Sequence, residues 1–251
     1  RKKMKTNILF FKNHSNNIAY NNIKKYLPQF IIYFSGNKHT TFQLDLWIPI
    51  IKKSNFKFII ILREHHHYLK LNDTSNPIVF LKDTLAVEKI STITSIKAAL
   101  YLSNVGKNIH LVRSNNIKHI FIGHGDSDKS SSANNIMKLY NHMFVAGQAH
   151  IDRMQANNIF VPKNYFVKIG RPNLELAFKH DFNVKDNNKL NILYAPTWEG
   201  YFENSSYSSL KILNIIIKNY LTKNNKNINF LFRPHPHTGV IDKQLNDISN
   251  E

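Results

Sequence analysis

Cysteine is absent from the sequence and acidic residues are scarce. Without a thiol there is no disulfide framework, no thiolate nucleophile and no zinc ribbon, and the composition suits a reducing, cytoplasmic compartment. Only 16 Asp and Glu stand against 34 Lys and Arg, a formal net charge of +18 at pH 7. An imbalance of that size favours an anionic partner, whether nucleic acid, a phospholipid surface or a phosphate polymer. Asn, Lys and Ile, residues of AT-rich codons, crowd the chain, and codon drift in a low-GC genome is the bland alternative source of the excess. Long hydrophobic runs are missing as well. The most apolar stretches, Phe58 to Leu62 and Ile212 to Ile217, fall far short of the roughly 20 residues that span a bilayer. Any membrane contact is therefore expected to be peripheral, at the inner face of the cytoplasmic membrane. The N-terminal segment places basic residues before a short apolar run, NILFF, with no signal-peptide core or cleavage site behind it, and reads as a first strand.

What is present is enough for a sizeable core: 251 residues, 42% of them hydrophobic, can build one large domain or two smaller ones. Short β-branched and aromatic runs recur as NILFF, QFIIYF, KFIIIL, PIVFL, AALYLS, KHIFIG and HMFVAG. Between them lie amphipathic stretches, Asn16 to Leu27, Phe42 to Lys53 and Lys107 to Asn115, that read as crossover helices. The strands are apolar throughout rather than alternating, as in parallel sheets covered on both faces. The fold class expected is α/β, with two Rossmann-like domains. A Pro and an Asn in NIFVPKNYF suggest a boundary, giving residues 1–160 and 161–251. In the second part YFVKIG, NILYAPTW and INFLF read as strands, and Tyr207 to Lys223 as a helix, with another helix starting near Val240. A doubly wound half needs about five strands, so this second domain is expected to lack part of its sequence.

Ligands of doubly wound folds bind outside the carboxyl ends of the strands, which directs attention to the polar residues there. The richest stretch is Gly123-His124-Gly125-Asp126-Ser127-Asp128-Lys129, running straight out of an apolar strand. Glycines on either side of His124 allow a sharp turn and leave room for substrate beside the imidazole. With an ordinary pKa near 6.5, His124 suits a general base for an attacking alcohol, with Asp126 or Asp128 to orient it. The bland alternative is a histidine that bonds the turn, with the acids capping the next helix. Gly125, Ser127, Asp128 and Lys129 are candidates for holding an acceptor or its phosphate. Three further strand ends carry phosphate-friendly groups and are candidates for holding a donor's phosphates or nucleotide: Arg171 in GRPN, Thr197 and Trp198 in YAPTW, and Arg233 and His235 in RPHP. Arginine offers a fixed fork to phosphate oxygens, and flanking prolines stiffen the loop. His65, His66 and His67 are consecutive, so they cannot all face one ion on a helix or strand, and no phosphate-cradling glycine motif of the Walker or G-x-G-x-x-G kind is present.

In this order HGDSDK, VAGQA, GRPN, YAPTW and RPHP resemble the CDP-glycerol glycerophosphotransferase family of teichoic-acid and capsule polymerases, over about Asn104 to Thr238. The resemblance implies a GT-B fold with the acceptor side mainly N-terminal, the nucleotide side mainly C-terminal, and no metal or other cofactor. It implies His124 as the base, Arg233 and His235 on the phosphates of the donor, and Thr197 near the donor. The partners implied are a CDP-polyol donor, with glycerol or ribitol as the polyol, and an anionic polyol-phosphate or glycan-phosphate acceptor. The chain reads HGDSDK where the family's commoner form is HG-T-P-x-K, which leaves the acceptor open, and a later Ser- and Asp-containing segment of the family is absent. Two other classes remain. A GT-B glycosyltransferase or epimerase acting on a nucleotide sugar would share the architecture and release a nucleoside diphosphate. A nucleic-acid-binding module would account for the charge, but no recognition-helix, RNP-like or zinc-finger pattern accompanies it.

Overall fold

The computed structural model describes residues 16–37, 39–72, 75–127, 132–178, 189–200, 206–212, 215 and 227–245. The chain divides into two compact units, Arg1–Lys179 and His180–Glu251.

The first unit is built on seven parallel strands: β1 (Phe30–Phe34), β2 (Phe58–Leu62), β3 (Ile78–Phe80), β4 (Ala98–Tyr101), β5 (Lys118–Phe121), β6 (His142–Val145) and β7 (Phe166–Lys168). They lie in the order β3-β2-β1-β4-β5-β6-β7, with Phe30 opposite both Phe58 and Ala98 at the centre. A strand side chain alternates between faces, so an apolar run with no polar alternation needs cover on both. Ile31, Tyr33, Ile59, Ile61 and Tyr101 pack on one face. That face is closed by Ile23 of α1 (Asn16–Tyr26), Val87 and Ile90 of α3 (Thr84–Ile90), Leu111 of α4 (Ile109–Val112) and Met154 of α5 (Gln148–Ala156). Ile32, Phe34, Ile60 and Leu62 pack on the other, beneath Leu44, Trp47 and Ile48 of α2 (Phe42–Ile51). The expected strands QFIIYF through HMFVAG and the helices after Asn16, Phe42 and Lys107 are all found, whereas NILFF lies outside the described residues.

The boundary differs from the expected one. β7 pairs in parallel with β6, Phe144 opposite Val167, so YFVKIG finishes the first sheet and the first unit runs beyond residue 160 to Lys179. The PKN segment before it is a turn, closed by the Tyr165 N–H donating to Pro162 O at 2.9 Å, rather than a linker. A short helix α6 (Glu175–Phe178) follows.

The strand order reverses between β1 and β4, which is where a doubly wound sheet opens a crevice. Here side chains occupy it. Ser35 Oγ donates to Asn108 Oδ1 at 2.8 Å, and Asn108 Nδ2 donates to Ser103 O and to the Tyr140 hydroxyl, each at 2.8 Å. Open space is therefore displaced along the sheet, toward the ends of β5, β6 and β7.

In the second unit β8 (Leu190–Tyr194) and β9 (Ile228–Phe232) pair in parallel, Tyr194 opposite Phe232. The expected helix across Tyr207 to Lys223 falls largely outside the described residues. Among the described residues, no helix is long and apolar enough to cross a membrane.

Candidate functional site

His124 leaves β5 on a loop held from two sides. Gly123 adopts a left-handed backbone, φ +62°, which glycine takes without steric cost. Its carbonyl accepts a 2.6 Å hydrogen bond from the buried Trp47 indole. The His124 ring is then fixed by Nδ1, 2.9 Å from the carbonyl of Leu102, just past the end of β4. A carbonyl only accepts, so Nδ1 carries the proton and Nε2 keeps its lone pair. Phe42 meets the ring edge-on, centroids 6.1 Å apart. His124 retains exposed surface at the mouth of the site, yet the protein packed round its ring withdraws it from bulk water. Burial pushes its pKa below the ordinary value; the Leu102 hydrogen bond opposes this, and the Arg171 guanidinium adds a further downward push. The imidazole is thus neutral at pH 7, with its unprotonated nitrogen available to an incoming hydroxyl.

The loop lines a cleft shared with Ala146, His150, Gly170 and Arg171. Asp126 does not orient His124 as expected from the sequence; the Leu102 carbonyl does. The Asp126 carboxylate instead accepts from Arg153 Nη1 at 2.8 Å, lies 3.2 Å from His150 Nδ1, and lies 3.8 Å from Arg171 Nη2. Arg171, expected among the donor-binding residues, belongs to the first unit beside His124. Among the described residues Gly125 faces open space, since a Cβ there would meet nothing within 4 Å. Ser127 Oγ lies 3.2 Å from Ser132 Oγ, and Asp128 and Lys129 lie outside the described residues. Sequence reading missed His150 and Arg153, which stand on α5 more than 20 positions from the loop they hold.

The second unit brings its own expected residues together. Because β8 and β9 are parallel and in register, the loops carrying Thr197-Trp198 and Arg233-His235 leave the same end of the sheet. The Arg233 N–H donates to Tyr194 O at 2.9 Å, extending the ladder by one residue, and its side chain is exposed. Trp198 and His235 stack, 23° between planes and 6.4 Å between centroids, and His237 meets Trp198 edge-on at 5.2 Å. Glu199, which sequence reading passed over, ties the loops to each other. Its carboxylate accepts from the backbone N–H groups of Gly239 at 3.2 Å, Ile241 at 3.0 Å and Asp242 at 3.2 Å. Burial would raise its pKa, but these donors outweigh that and the net direction is down.

Among the described residues no group of three or more His, Asp or Glu is arranged to hold a metal ion. His65, His66 and His67 open a short 3-10 helix, His65–Lys70. The His67 ring packs edge-on to Phe34, and burial, with His66 beside it, pushes its pKa down to about 4.

No protein-family model and no curated protein matches the sequence. Among solved structures the chain resembles an S. aureus MnaA–UDP co-structure, with a TM-score of 0.50 and 9% identity. The chain has a GT-B-like Rossmann fold. The likeness takes in 87% of this chain and 66% of that one, so the chain spans just under two thirds of MnaA's length. At such low identity it speaks to fold alone. Gre2 from Candida albicans, at 14% identity over 75% of this chain and 65% of that one, has a TM-score of 0.28, too low to bear on the fold.

Proposed function

We propose that the chain is the catalytic region of a transferase that uses a nucleotide-diphosphate-linked donor, and that the group it moves is a polyol phosphate carried by CDP. The observation that carries this reading is the His124 ring, fixed through Nδ1 so that Nε2 keeps its lone pair, in the lining of a cleft shared with an arginine. In the proposed step Nε2 takes the proton of an acceptor hydroxyl as its oxygen attacks the distal phosphorus of the donor. A new oxygen–phosphorus bond forms, the bond from that phosphorus to the bridging oxygen breaks, and CMP leaves with the electron pair. Phosphoryl transfer rewards positioning and charge neutralisation above all. The reading gives that work to Arg233 and His235, with Thr197 and Trp198 beside them. The ordered HGDSDK, GRPN, YAPTW and RPHP strings support the CDP-polyol donor, and the +18 charge supports a polyanionic acceptor.

A second reading, an enzyme acting on a nucleotide sugar, is favoured by one specific observation: the resembling MnaA structure contains UDP. The leaving nucleotide separates the two. The protein is incubated with CDP-glycerol, CDP-ribitol or UDP-sugars and a short polyol-phosphate acceptor, and released nucleotide and acceptor length are measured. CMP together with a lengthened acceptor is the expected result. UDP release, or interconversion of the UDP-sugar, with no CMP would replace the proposal by the second reading, and no turnover of any donor by folded protein would overturn both.

A further inference from the structure

Among the described residues, the cleft beside His124 holds more positive charge than its own structure uses. Asp126 is the carboxylate on its lining, and two guanidiniums converge on it. Arg153 is largely buried, 15% exposed, and bonds Asp126 at 2.8 Å, so that pair is neutralised within the protein. Arg171 is different in each respect. It is 35% exposed, it approaches Asp126 only to 3.8 Å, beyond hydrogen-bond reach, and it stands at the cleft wall just after Gly170, whose φ of +68° turns the chain there. Asp126 therefore steers the Arg171 fork, whose side chain makes no hydrogen bond among the described residues. His150 completes the support: one ring nitrogen lies 3.2 Å from Asp126 and the other 3.1 Å from the Ser132 carbonyl.

A partly exposed guanidinium whose donors are unspent among the described residues, placed beside a base, matches a planar pair of oxygens on an anion. A neutral sugar hydroxyl needs no such charge. Resting on the transferase reading above, we propose that this cleft holds a phosphate subsite for the acceptor. Arg171 touches the phosphate, and Asp126, Arg153 and His150 are positioning residues. The hydroxyl presented to His124 then belongs to a phosphorylated polyol, and Arg171 serves the acceptor rather than the donor. The arrangement has an electrostatic signature. Arg171 helps to depress the His124 pKa, so an anion seated on Arg171 offsets that field and raises it.

The test is the NMR titration of the His124 ring in the whole protein, with glycerol 3-phosphate and glycerol as probes and no donor present. Glycerol 3-phosphate is expected to bind and move the His124 pKa upward, while glycerol leaves it unchanged. R171Q should weaken that binding roughly tenfold or more, the loss of a charge-assisted fork, and R171K, which keeps the charge, should fall between. D126N should weaken it less, since Asp126 acts only through Arg171. No shift with glycerol 3-phosphate, or a shift that survives R171Q with unchanged affinity, overturns the subsite. Nucleotide release, assayed in parallel, keeps the two proposals apart. CMP release without the titration shift removes the subsite alone, and the shift without any CMP release removes the transferase reading alone.

Discussion

The loop that carries His124 and the loops that carry Trp198 and Arg233 all leave parallel strands at their carboxyl ends, yet they are held by different means. In the first unit the backbone does the work: a left-handed Gly123, a carbonyl tied to Trp47, and an imidazole pinned by the carbonyl of Leu102. In the second unit side chains do it: stacked Trp198 and His235 rings, and one carboxylate gathering three N–H groups. The difference fits the chemistry proposed for each. A proton acceptor must present one atom in one direction, which a tightly folded main chain ensures. A diphosphate offers many oxygens and tolerates a broader, charge-based cradle.

The sharpest way to break that division is His124→Ala. If the first unit supplies the base, turnover should fall by roughly 10² to 10⁴ while binding of the donor nucleotide is unchanged. The wild-type pH profile adds a sign. The folded-state pKa of His124 is depressed, so the base stays unprotonated as pH falls through the ordinary histidine range, and the acid limb of kcat/KM in the free enzyme should lie below about 6.5. Wild-type turnover in His124→Ala, or an acid limb above that value, removes His124 from the role of base.

Glu199→Gln tests the other side with a smaller effect. Hydrogen bonds to a charged acceptor contribute roughly 1.5–3 kcal/mol each, and the amide keeps the shape but loses the charge. Looser loops should raise the donor KM by about tenfold with little change in kcat, as expected for a residue that positions Trp198 and His235 without touching the reacting atoms. A fall in kcat at constant donor KM would instead place Glu199 in the chemical step.

How legible all this is from sequence follows the same division. The strands from QFIIYF to HMFVAG are readable because both faces of a parallel sheet are buried, which leaves unbroken apolar runs. The end of the first unit is not, because β7 is an edge strand, Phe166–Lys168, with only one residue partly buried, and the turn chemistry around Pro162 and Asn164 looks like a linker. His124 stands out through its flanking glycines, and Arg233 and His235 through their prolines. The Leu102 carbonyl that orients His124 has no side-chain signature, since any residue supplies it. Arg153 and His150 reach the Asp126 loop from helix α5, a tertiary pairing that spacing does not encode. Glu199 binds main-chain groups some 40 positions away, so nothing near it in sequence announces its role.

The smallest expected effect separates backbone need from ligand space within the His124 loop. At Gly123 an added Cβ would meet Phe121 Cε1 at 3.5 Å, ordinary contact, so the cost of Gly123→Ala lies in the positive φ and should be about 1 kcal/mol of stability. Gly125 is the matched control: among the described residues beyond its chain neighbours, nothing lies within 4 Å of its added Cβ, so Gly125→Ala should leave denaturant midpoints nearly where they are. If the open space beside Gly125 is where an acceptor sits, that same methyl should weaken acceptor binding although it costs the fold nothing. A Gly125→Ala protein with unchanged stability and unchanged acceptor affinity would move the acceptor elsewhere in the cleft, whereas a loss of stability would show that the glycine serves the turn, as Gly123 does.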